Sequence, residues 1–185
     1  MRIISGRARG LHLAAVGDGD ASAHLRPTSD RVREAIFNLL VNGGYDDPIT
    51  DCHVLDLFAG TGALGLEALS RGASRVTFVD DGKVALGLLQ RNIGLMKASA
   101  EVTMIRRNAT QLGLGSPHGL VFLDPPYGKG LGEAALASAM TGGWIGPEAL
   151  VVWEENVLPV VPDGFRQLDQ RRYGDTLVTI LMRDD

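Results

Sequence analysis

The chain has almost no cysteine. Cys52 stands alone among 185 residues, which excludes an internal disulfide framework and any cysteine-built zinc cluster. Four histidines (His12, His24, His53 and His118) are scattered without metal-ligand spacing and read as structural or exposed. No apolar run approaches the roughly 20 residues of a membrane span; Ala149 to Trp153 is typical. The opening Met-Arg-Ile-Ile-Ser-Gly-Arg has no apolar signal core behind it. Lysine is scarce too: 15 of 18 basic residues are arginine, whose planar fork suits phosphate oxygens. A soluble, cytoplasmic monomer with no metal and no membrane contact is the expectation.

The 45% hydrophobic and 22% charged fractions are those of a globular chain of about one domain. The net charge of −4 hides an asymmetry. Residues 1–33 carry six arginines (2, 7, 9, 26, 31 and 33) against Asp18, Asp20 and Asp30, whereas the remainder holds 12 basic and 19 acidic groups. A basic arm on an acidic body suggests a polyanionic partner.

Arg2–Ser5 and Leu11–Ala14 read as short strands around Gly6-Arg7-Ala8-Arg9-Gly10, a basic hairpin. Val16–Ala23 reads as a flexible connection. Arg26-Pro27-Thr28-Ser29-Asp30 then introduces a helix with Val32, Ala35, Ile36, Leu39 and Leu40 on one face, ended by Gly43-Gly44. Strands follow at His53–Ala59, Arg75–Asp80, Val102–Arg106, Leu120–Asp124 and Ala149–Glu154. Helical patterns at Ala63–Arg71, Lys83–Met96 and Leu131–Met140 separate them. Such alternation predicts a parallel sheet covered on both faces. Phe165–Tyr173 and Thr176–Arg183 flank Gly174-Asp175, so the sheet should finish with an antiparallel pair. The expected division is a basic extension over 1–25 and one α/β domain over 26–185.

Gly60, Gly62 and Gly65 satisfy the G-x-G-x-x-G spacing after an apolar strand, and Asp80 ends the next strand. Glycines let a ligand approach the backbone, and the acid accepts hydrogen bonds from ribose hydroxyls. Dehydrogenases and methyltransferases share this spacing. Asp56, inside the first strand, needs donors because burying a bare carboxylate is costly. The glycine-loop N–H groups could supply them, or the ammonium of an amino-acid-bearing cofactor such as S-adenosylmethionine. Asn108, after the third strand, is placed to read an adenine amine.

Asp124-Pro125-Pro126-Tyr127 carries the sharpest signal. A buried strand runs into two prolines that end the ladder and remove two N–H donors. What remains is a set of acceptors and one aromatic ring, suited to gripping an exocyclic amine and stacking its base.

These stretches resemble the RsmD family of bacterial 16S rRNA guanine-N2 methyltransferases. The likeness runs through Arg26-Pro-Thr-Ser-Asp-Arg-Val-Arg-Glu-Ala-Ile-Phe-Asn38, Leu55 to Gly72, Asp124-Pro-Pro-Tyr127 and Tyr173-Gly-Asp-Thr176. The resemblance implies a Rossmann-like class I fold with a seven-stranded, mostly parallel sheet whose last strand is antiparallel, plus the N-terminal hairpin. It implies S-adenosylmethionine as cofactor, held by Asp56, Phe58, Gly60, Gly62 and Asp80, with Asn108 and Ala109 near the adenine. Asp124, Pro125, Pro126 and Tyr127 would hold a guanine amine of 16S rRNA, free or in an assembling small subunit. Many relatives carry Glu where Asp80 stands. Arg2, Arg7, Arg9, Arg26 and Arg33 are the expected RNA contacts, and Arg33 and Glu34 would flank the cofactor entrance. Arg171 and Arg172 read as a surface strand. The Asp-Pro-Pro-Tyr motif also occurs in adenine-N6 methyltransferases. That activity, or an RNA-binding assembly factor retaining the fold, is the alternative; an NAD-dependent dehydrogenase would need a substrate site with a proton-transfer residue, and nothing beyond the glycine spacing supports one.

Overall fold

The computed structural model describes residues 1–15 and 29–185. Arg26, His24 and the connection at 16–23 therefore lie outside the described residues. The elements follow in the order α1 (Asp30–Asn42), β1 (His53–Leu57), α2 (Ala63–Ser70), β2 (Arg75–Asp80), α3 (Lys83–Met96) and β3 (Val102–Arg106). After a 3-10 turn at Ala109–Gln111 come β4 (His118–Leu123), α4 (Leu131–Thr141), β5 (Ile145–Glu155), β6 (Phe165–Tyr173) and β7 (Thr176–Arg183). The seven strands form one sheet in the order β3-β2-β1-β4-β5-β7-β6, the Rossmann-like arrangement of class I methyltransferases. β7 alone is antiparallel to its neighbours β5 and β6.

The central strands are apolar on both faces because both are covered. Val54, Phe78, Phe122 and Val152 pack on one side with Ile36, Phe37 and Leu66. Leu57, Val79, Leu123 and Trp153 pack on the other with Ala135 and Leu136 of α4. β5 begins at Ile145, earlier than the expected Ala149, across an irregularity in its pairing with β4. Near it His118 is buried, its ring nitrogens on the Trp144 carbonyl and the Thr77 hydroxyl, and burial pushes its pKa down.

α1 is capped by Ser29, whose hydroxyl accepts from the Val32 N–H at 3.2 Å, with Asp30 in the positive first turn. Its fully buried stripe is Arg33, Ile36, Phe37 and Leu40, so the face is turned from the expected one and includes a charge. Arg33 is thus not available as an RNA contact. Its guanidinium has no exposed surface and is held by the Arg2 carbonyl, by Asp30 at 2.8 Å and by Glu67 at 3.8 Å. Burial of a guanidinium is tolerable only with such partners.

Glu67 also anchors the N-terminal hairpin, whose paired part is shorter than the two expected strands. Its carboxylate accepts from the N–H groups of Ile4 and Ser5 at 2.7 and 3.0 Å. The Arg7 and Ala8 N–H groups go to the carbonyl and hydroxyl of Ser70. The two arms are still joined as a hairpin, by the Ile3 N–H on the Leu11 carbonyl, the Gly10 N–H on Ile3, the Leu13 N–H on Met1 and one antiparallel bridge between Arg2 and His12, while the remaining donors go to α2. Gly6, at φ 78°, lies so close that an added Cβ would sit 1.8 Å from the Ser70 carbonyl oxygen. Ile3 and Leu13 anchor the segment in the same core as Ile36 and Phe37.

Candidate active site

The strands β1, β2, β4 and β5 are parallel, and their carboxyl ends open on a crevice of about 1120 Å³. Open α/β sheets bind ligands at this edge. After β1 the chain turns sharply: Phe58 takes a left-handed φ of 59°, a strain of about 1–2 kcal/mol for a residue with a Cβ. Gly60 and Gly62 continue the turn at φ 56° and 78°, and Gly62 caps α2. At Gly65 a Cβ would meet Phe78 at 2.4 Å, so helix and strand touch only because it is glycine.

Two carboxylates brace the turn. Asp80 accepts the N–H groups of Gly60 and Gly82, each at 2.8 Å. Asp56 accepts the Gly65 N–H at 2.9 Å, so one of its two expected partners, the glycine-loop backbone, is seen directly. Burial pushes the Asp56 carboxyl well above its ordinary range; Gly65 opposes this, and the charges of Asp124 and Asp80 add to it. Burial also raises Asp80. Asp56, Phe58, Gly60, Asp80 and Asp124 to Tyr127 all line the crevice. The Asp-Pro-Pro-Tyr segment is tied down where the Gly128 N–H meets Glu155 at 3.0 Å, and the Tyr127 hydroxyl lies 3.4 Å from that of Thr176.

Other expected residues are placed elsewhere. Gly62 is not in the lining but under it, against Leu89. Asn108 caps the 3-10 turn, its side-chain oxygen accepting from the Thr110 N–H and hydroxyl, and Ala109 is buried beside α4. Neither lines the crevice. Glu34 is exposed on α1 away from it. Arg2 and Arg9 are exposed, while Arg7 is exposed but paired with Glu101 at 2.6 Å. Among the lining residues not foreseen are Asp81, Lys83, Lys129, Glu154 near the end of β5, and the β6–β7 turn from Tyr173 to Thr176. An acid closing a buried strand was the available signal for Glu154, the same one that marks Asp124.

The lining holds six carboxylates (Asp56, Asp80, Asp81, Asp124, Glu154 and Asp175) against Lys83 and Lys129. Such a field repels a dinucleotide pyrophosphate and favours a ligand carrying an ammonium, a sulfonium and a ribose diol. The residues therefore fit S-adenosylmethionine. Asp80 and Asp56, both in the lining, are the acids that could hold its ribose hydroxyls and its ammonium.

Fold and crevice together define a class I S-adenosylmethionine-dependent methyltransferase. The family described as Conserved hypothetical protein 95 matches residues 1–182, and the chain belongs to it. Within it the chain is 38% identical over 189 residues to Ribosomal RNA small subunit methyltransferase D of Escherichia coli, covering all of this chain and 90% of that one. The enzyme of the same name from Haemophilus influenzae is 35% identical over 181 residues, covering 94% and 89%. The solved structure of yhhF from Escherichia coli superimposes with a TM-score of 0.84 at 38% identity, covering 100% of this chain and 98% of the other.

Proposed function

We propose that the chain transfers a methyl group from S-adenosylmethionine to the exocyclic N2 amine of a guanine in 16S rRNA, acting on the small ribosomal subunit in the cytoplasm. The observation that carries this reading is the Asp124-Pro125-Pro126-Tyr127 segment lining the same crevice as the glycine loop. The relatives named for small-subunit ribosomal RNA supply the substrate class.

S-adenosylmethionine would supply a methyl group on a sulfonium. The protein's task is to present an unwilling nucleophile, since the lone pair of an aryl amine is delocalised into its ring. Asp124 and the Pro125 carbonyl each accept one N–H, which favours a pyramidal nitrogen with its lone pair aimed across the crevice. The same oxygens stabilise positive charge as the nitrogen attacks. Tyr127 offers its ring to the base once it has left its stack. In-line displacement depends on alignment, so positioning provides much of the acceleration. Asp124 or water takes the proton released from the alkylated amine.

In this reading residues 1–25 form the RNA-binding extension of a methyltransferase domain at 26–185, with Arg2, Arg7 and Arg9 toward the phosphates. The test is incubation with labelled S-adenosylmethionine and small subunits lacking their methyl marks, then nucleoside analysis. N2-methylguanosine is the expected product; label in N6-methyladenosine instead would sink the assignment.

A further inference from the structure

The Asp-Pro-Pro-Tyr segment grips an amine without regard to which base bears it, so the choice of base must lie elsewhere in the crevice. β4 and β5 run parallel, and their last registered pair is Leu123 with Trp153. The next residue of each chain segment is an acid, Asp124 after β4 and Glu154 in β5. Leu123 and Trp153 face the α4 core, whereas Phe122 and Val152 face the α1 core. Alternation turns Glu154 toward the α1 side, and Asp124, whose charge acts on Asp56, enters the same crevice from the end of β4. Both line the crevice, and Glu154 is only 1% exposed. Neighbouring strands lie about 4.8 Å apart, so two carboxylates on adjacent strand ends can converge on neighbouring donors of one base edge.

We propose that Glu154 accepts the ring N1–H of the target base and thereby selects guanine over adenine. The proposal rests on the guanine-N2 reading above and names what in the site enforces it. Guanine presents its amine and its N1–H as adjacent donors. Adenine presents its amine beside a bare N1 lone pair. An ionised carboxylate is acceptor-only, so it completes the guanine edge and repels adenine's nitrogen. Discrimination by a clash with the wrong partner is a general device. A site built to receive an N–H rejects analogues lacking it far more strongly than a merely shaped pocket does. A carboxylate offers about four lone-pair sites, so reading the base is compatible with the protein contacts that Glu154 makes.

The experiment compares small subunits reconstituted with either guanosine or 2-aminopurine riboside at the target position. The analogue keeps the 2-amino group but has no N1–H. Wild-type enzyme should prefer guanosine in kcat/KM by about ten- to a hundredfold. In Glu154→Gln the amide can turn its N–H toward the lone pair, and the preference should fall to within about threefold. S-adenosylmethionine affinity, measured by calorimetry, should fall by no more than about threefold, the scale of one charge among several, and equally for both substrates. Because the ratio is taken within one preparation, partial loss of folded enzyme cancels. If turnover by the variant is too slow, the same ratio is read from binding of the two RNAs, using 2-aminopurine fluorescence for the analogue. A ratio unchanged in Glu154→Gln, or a wild type indifferent to the analogue, overturns the role of Glu154. Failure of the wild type to methylate the guanosine subunit overturns the parent reading as well, and that arm alone reports it.

Discussion

Glu67 and Arg33 face each other across 3.8 Å with both side chains wholly buried. The same carboxylate takes the backbone of Ile4 and Ser5 and the Arg71 guanidinium at 2.7 Å. One acid thus ties α1, α2 and the N-terminal segment together. Glu67→Ala should cost about 3–5 kcal/mol, since it leaves a buried cation and two backbone donors without it. For a chain of this size that lowers Tm by roughly 10 °C in scanning calorimetry. A loss under 2 °C, on the scale of an exposed pair, would show the cluster to be dispensable.

Asp56 should set stability against function. Its raised pKa means the folded state holds a proton that the unfolded chain has released. The folded state is therefore favoured at low pH, and this advantage is lost as pH rises through the raised value. Asp80 titrates in the same sense. Asp56→Asn keeps an oxygen for the Gly65 N–H and removes the charge. It should raise Tm at neutral pH by about 3 °C, the scale of 1 kcal/mol here, and flatten the pH dependence. Cofactor affinity should fall at least tenfold if an ammonium is its other partner. Calorimetric titration decides; unchanged affinity would confine Asp56 to bracing the loop.

Asp124→Ala should reduce methyl transfer by about a thousandfold, the scale for removing a group aimed at developing charge. Cofactor affinity should change by no more than about threefold. A variant that keeps its fold but no longer binds the cofactor would reverse the division of labour between β1 and β4.

Arg9 and Arg7 should differ. Arg9→Gln should reduce the slope of log affinity against log salt by about 1, as expected for one phosphate contact. Arg7 is already matched with Glu101, whose carboxylate the guanidinium holds below its ordinary pKa. Arg7→Gln should therefore flatten the slope less. Equal slopes in wild type and the Arg9 variant would remove the hairpin from the RNA interface.

Most of the sheet was legible because its strands are short apolar runs between glycine turns, and β2 and β3 match their expected bounds. The glycine loop and the Asp-Pro-Pro-Tyr segment were legible for the same reason: their residue types have few other uses at a strand end. Arg33 was not. A charge beside an apolar stripe ordinarily faces water, and only Glu67, 34 residues on in another helix, makes its burial tolerable. The N-terminal hairpin was legible, but its docking was not, since local alternation says nothing of donors captured by α2. Glu154 carried a legible signal, an acid closing a buried apolar run, but only the pairing of β4 with β5 brings it to the same crevice as Asp124. Tyr173 and Thr176 were legible as a turn but not as a wall, because that requires knowing that β7 pairs with β5.

The position of β7 between β5 and β6 has a consequence for how the molecule comes into being. During synthesis β6 leaves the ribosome before the strand that will join it to the sheet. The cofactor loop can form around β1 and β2 while the Tyr173–Thr176 wall, and with it the Thr176 contact of Tyr127, is still unanchored. The newborn enzyme should therefore acquire its methyl-donor pocket before its far wall: a half-finished copy could hold the donor but would have nothing firm to press a base against.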